Sequence, residues 1–153
     1  MKLAEALLLR ADVQKKLASL QARAQKYTVV QEGEKPAEDP NELLRQVAGA
    51  ATELHRLVLA INTTNLQHTI ASGESITEAL ARRDSLTYHH RVLVGVVDSC
   101  AKPVERHSVK EIRWVTTVDV PALQRQIDDT AKHMRELNAA IQEAGWRVDL
   151  VGY

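Results

Sequence analysis

The chain of 153 residues contains no phenylalanine, two tryptophans and three tyrosines, so aromatic rings cannot fill its interior. Leu, Val, Ile and Ala must do so, a palette suited to helix-on-helix packing in which small side chains let backbones approach closely. A single cysteine, Cys100, excludes an intrachain disulfide and any cysteine-rich zinc motif, and a reducing compartment is its simplest home. Charge of one sign is missing too: 20 Lys and Arg stand against 20 Asp and Glu, so no global field draws nucleic acid or anionic lipid. The six glycines are dispersed, and the chain carries no GxxxxGK, no GxGxxG after a strand, no GxSxG and no HExxH. No His follows a Glu by three positions, which removes the carboxylate-bridged di-iron pattern of helical bundles. Long apolar runs are also absent: none approaches the ~20 residues that span a bilayer. Glu5, Arg10 and Asp12 interrupt the Leu-rich start before a secretory core could form. These absences lead us to expect a soluble, cytoplasmic protein without cofactor or metal, of a length that suits one domain.

What is present is long amphipathic periodicity. Residues 3–26 read as a first helix, with Leu3, Leu7, Val13, Leu17, Leu20 and Ala24 near a three-four spacing and Arg10 on the same face. Asp39-Pro40-Asn41-Glu42 is a helix start with Asp39 as cap, Pro40 in the first turn and Glu42 completing a capping box. It predicts a second helix over 40–65 with a face through Leu43 or Leu44, Val47, Ala50 or Ala51, Leu54, Leu57 or Val58, and Ile61 that ends in Asn65. Ser75-Ile76-Thr77-Glu78 is another capping box. It opens a third helix over 76–100, whose stripe passes through Leu80, Arg83, Leu86, His89 or His90, Leu93, Val96 or Val97 and Cys100. Asp119 caps a fourth helix over 120–144 with the cleanest stripe of all: Val120, Leu123, Ile127, Thr130, Met134, Leu137, Ile141 and Ala144. Gly145 follows as a candidate left-handed cap. Between the helices, β-branched residues at 27–31 and alternation at 109–118 predict strands, the second carrying Trp114 toward the core, and 146–151 is a possible third. The fold expected is mainly α: four long helices as antiparallel α-hairpins or a bundle, with a small β-sheet at one end. Four rods of about 25 residues, each about 37 Å long, are hard to cover within one chain so poor in aromatics. Self-association, as a homodimer or larger, is therefore expected.

Polar residues crowd most densely where the second helix gives way to the third. Arg10, Asn62, Thr63, Asn65, Glu74, Glu78, Arg82, Arg83 and Asp84 make up the candidate cluster. Asn62 and Asn65 could read amide-like or hydroxylated ligands, Arg82 or Arg83 could clamp an anion, and Glu78 or Asp84 could orient them. The same residues serve equally as a network that fixes the angle and register of two helices. No metal site is assigned. His89 and His90 point about 100° apart on a helix, and Asp129 with His133 is spaced for a surface ion contact and has no third ligand. Cys100, near Lys102 and Arg106, continues an apolar stripe and reads as structural before it reads as reactive.

The segments MKLAEALLLRADVQKKLASL, VVQEGEKPAEDP, ITEALARRDSL and IRWVTTVDVPALQRQIDDTAKHMRELNAAIQEAGWRVDL together resemble a family of short bacterial proteins without an established activity. Some members carry the label septicolysin. The label implies a thiol-activated, cholesterol-dependent pore former, whereas this chain lacks the length, the signal peptide and the tryptophan-rich loop of such toxins, and its Cys100 falls in a predicted helix. The resemblance assigns no site residues. Three functions follow in order: a non-enzymatic, self-associating interaction protein; a ligand-binding protein or small enzyme using the Arg, Asn and Glu cluster; and a nucleic-acid arm like the helical hairpin of seryl-tRNA synthetases. Net neutrality weakens the last, despite the basic run of Arg10, Lys15, Lys16, Arg23 and Lys26.

Overall fold

The computed structural model describes residues 1–101 and 114–153. Four helices account for most of them: α1 (Leu3–Lys26), α2 (Pro40–Gln67), α3 (Ile76–Ser99) and α4 (Val120–Arg147). The chain divides into two compact units, Met1–Thr77 with Gln142–Tyr153, and Glu78–Ile141.

In the first unit α1 and α2 pack against each other. Each contributes one buried line at helical spacing, Leu3, Ala6, Val13, Leu20 and Ala24 from α1 and Leu43, Ala50, Leu57, Ala60, Ile61 and Thr64 from α2. Large and small residues alternate along both lines, which lets Leu side chains of one helix enter the space left by Ala on the other. Leu57, with no exposed surface, is worth about 1.5–3 kcal/mol by its burial.

The helix starts are set by local polar bonds. The backbone N–H of Lys2 donates to Glu5 Oε2 at 2.6 Å, an N-terminal signal absent from the pattern reading. Asp39 caps α2 by accepting from Asn41 N at 2.9 Å, and Asp119 caps α4 by accepting from Ala122 N at 3.0 Å. Glu42 does not complete a box on α2. Its carboxylate is taken instead by Arg45, with Nε at 2.9 Å, and that guanidinium holds it below the usual carboxylate range. The α1–α2 connection is tied back by Glu38, which receives both Nε and Nη2 of Arg23. The paired guanidinium lowers the Glu38 pKa.

Among the described residues the expected sheet is not found. Residues 27–31 form a turn and open coil with Val29 85% exposed, because β propensity makes no strand without a neighbour to complete the ladder and a face to bury. Of the span 109–118, residues 109–113 lie outside the described residues and 114–118 are not strand. Trp114 is 79% exposed rather than directed to a core. The tail 146–151 begins as helix and adds a single antiparallel bridge, Lys2 to Asp149. Gly145 is no left-handed cap either. Helix α4 runs on to Arg147, Gly145 is buried with the Ala4 Cβ 3.8 Å from where its own Cβ would stand, and the glycine with positive φ in this tail is Gly152, at 75°.

The second unit holds most of α3 and α4. Ala79, Leu93, Thr130 and Leu137 are the buried ones among its described residues. Thr130 satisfies its hydroxyl on the Gln126 carbonyl at 2.6 Å, and Thr87 does the same on Arg83 at 2.8 Å. His90 rather than His89 takes the inward side of α3, half-buried where its neighbour is exposed.

Candidate functional site

The polar cluster divides between the two units. Arg10, Asn62 and Asn65 belong to the first, and Glu78, Arg82, Arg83 and Asp84 to the second. Arg10 is half-buried on α1, and its Nε is buried without a hydrogen-bond partner. Asn62 faces solvent and Asn65 is half-buried. Arg83 is half-buried and turns to its neighbour, with Nε and Nη2 reaching Asp84 Oδ1 at 3.1 and 2.9 Å. Glu78, Arg82 and Asp84 are exposed.

The residue at the end of the α2 stripe is Thr64, not Asn65. Thr64 is fully buried, donates to the Ala60 carbonyl at 2.7 Å, and accepts the Val151 backbone N–H at 2.9 Å. The slip arises because a 3.6-residue period accumulates against a four-residue step, so the face reached from Ile61 by three is deeper than the one reached by four.

That bond belongs to a clasp in which the last residues lace the first unit together. Leu3 N donates to the Val148 carbonyl at 3.0 Å, and Leu150 N to the Met1 carbonyl at 2.9 Å. Lys2 Nζ reaches the Arg147 carbonyl at 3.0 Å and Asp149 Oδ1 at 2.9 Å, and the ammonium holds the Asp149 carboxyl below its ordinary value. Arg147 Nη2 donates to the Thr69 carbonyl at 3.0 Å, anchoring the turn of 68–76, and the Arg56 guanidinium stands 5.5 Å from the Tyr153 ring centroid. Every polar atom named in the clasp has a partner within the protein, so these bonds close this end of the unit.

The feature that the pattern reading missed is a second apolar line on α2, beside the one that faces α1. Leu44, Leu59 and Leu66 are 56, 60 and 66% exposed, and Ala48, Ala51, His55 and Asn62 lie exposed between them. At 3.6 residues per turn these positions share one face. The signal was present in the sequence as a three-four series starting from Leu44, obscured because Leu43 and Leu44 could each begin the stripe. Leu44 also borders an apolar groove of about 280 Å³, lined with Leu17, Gln21, Ala24, Gln25 and Val47. No acidic or basic side chain lines it.

Among the described residues no group of three or more His, Cys, Asp and Glu is placed to hold a metal ion, and no helix is long and apolar enough to cross a membrane. Comparison with known proteins gives two findings. The model of a family of unknown function, DUF6847, matches residues 10–150. A solved structure described as a functionally unknown conserved protein from Corynebacterium diphtheriae is similar at 33% identity and a TM-score of 0.90, covering 98% of each chain. No curated protein matches.

Proposed function

This chain belongs to the DUF6847 family of unknown function, and from that premise we propose that it is a non-enzymatic protein of the cytoplasm that acts by contact, first of all with another copy of itself. The observation that carries the reading is the exposed apolar line of α2. Leu44, Leu59 and Leu66 recur along one helix at 56–66% exposure, and isolated exposed apolar residues need no explanation while a line of them does. The fully partnered clasp supports the same reading, since the polar groups there are spent on holding the unit together.

The test is native mass spectrometry and sedimentation of the purified protein, alongside Leu59→Lys. The expected result is a dimer or larger species for the natural chain. For Leu59→Lys we expect a folded monomer whose melting temperature no longer rises with protein concentration, as that of the natural dimer does. A natural chain that stays monomeric at about 100 μM, a concentration that fills even a Kd in the tens of micromolar, overturns the proposal.

A second reading, ligand binding, has one observation in its favour: the Arg10 Nε buried without a partner. A buried donor in want of an acceptor suits a carboxylate or carbonyl ligand. Arg10→Gln would then abolish a melting shift produced by a small carboxylate, and a chain that shows no such shift in a metabolite screen removes this reading.

A further inference from the structure

Resting on the reading of α2 as a self-association surface, we propose that two copies pair through α2 in antiparallel fashion, with the two-fold axis passing at His55. A contact between identical chains about a two-fold axis must be self-complementary, with residue i meeting j while j meets i. The exposed line of α2 has that property about His55. Reversal about this position sets Leu44 against Leu66, Ala48 against Asn62, and Ala51 against Leu59, all of them exposed in the single chain. Two of the three pairs match a larger side chain to an alanine, the arrangement that lets helices interdigitate closely, and the outer pair closes each end of the seam with two leucines.

Charge selects the antiparallel sense. Arg45 and Arg56 flank the line; in the antiparallel register Arg45 lies across from Asn65, far from its own copy, while Arg56, one residue from the axis, stays about 3 Å from its copy along the helix direction. A parallel pair would set each arginine against its own copy and align the two helix dipoles, both unfavourable. The size is also adequate. The line from Leu44 to Leu66 is about 33 Å long at 1.5 Å per residue. Covering half the girth of a helix about 10 Å across over that length buries about 500 Å² per partner, or about 1,000 Å² in total, the lower bound for a specific interface. A reversible dimer rather than a permanent one follows.

The test uses single cysteines in a Cys100→Ser background under mild oxidation, after sedimentation has reported the size of each variant. His55→Cys is expected to form a disulfide-linked dimer, because position 55 meets itself on the axis. Leu44→Cys alone is expected to stay unlinked, while a mixture of Leu44→Cys and Leu66→Cys chains links. If the natural chain is dimeric and His55→Cys does not link, the register fails and self-association stands through another surface. Linking of Leu44→Cys to itself refutes the antiparallel sense, and a monomeric natural chain removes both the register and the reading it rests on.

Discussion

Replacing Thr64 by valine tests the clasp at the one point where its hydroxyl closes it. The two side chains have nearly the same shape, so the substitution opens no cavity, but valine can neither donate to the Ala60 carbonyl nor accept the Val151 N–H. The Ala60 carbonyl loses little, because it keeps its place in the helix ladder. The Val151 amide loses its acceptor in a half-buried position, and a stranded buried donor costs about 1–3 kcal/mol. Taking the middle of that range, about 2 kcal/mol, a domain of this size should melt about 4–8 °C lower. Thr64→Ser keeps the hydroxyl and gives up one methyl, worth about 0.8–1.5 kcal/mol, and so separates the polar from the apolar contribution. Melting followed by circular dichroism supplies the magnitude, and hydrogen exchange at the Val151 amide supplies the location, with faster exchange in valine and near-native protection in serine. Thr64→Val that melts at or above the natural chain, with Val151 still protected, would refute the view that this hydroxyl holds the tail.

Gly73 sits at φ 93° in the turn of 68–76, where its N–H donates to the Ile70 carbonyl at 3.0 Å. Gly73→Ala should therefore cost about 1–2 kcal/mol from the left-handed backbone alone, read as a lower urea midpoint with an unchanged slope. Asp149 titrates below its ordinary value of 3.8 because of its bond to Lys2, with smaller contributions from the Lys2 charge, the terminal amine and His68. A lowered carboxyl pKa stabilises the folded state above the ordinary value, and that stabilisation is lost as pH falls through the folded value. Asp149→Asn should flatten the part of the melting-versus-pH curve that lies below about pH 4, and an unchanged acid limb would show that the pair contributes nothing.

Local rules sufficed for much of this architecture. The four helices, the caps at Asp39 and Asp119 and the inward stripe of α4 were all legible, because capping and periodicity act within a few residues of one another. The polar cluster was legible as composition. Its members belong to two compact units, and density along the sequence does not by itself say which side chains meet.

Spacing, capping, the scarcity of rings and a single cysteine were enough to make the protein helical, lined by aliphatic seams and without an intrachain disulfide. The rest emerges only in the folded chain: residues 27–31 stay coil, Thr64 rather than Asn65 closes the α2 stripe, the tail clasps the first residues, and a second leucine line is left open to solvent. Each of these depends on contacts between segments far apart in the chain. β pairing, burial and hydrogen-bond closure gain their free energy from a partner, and the partner's position is not written in the local pattern.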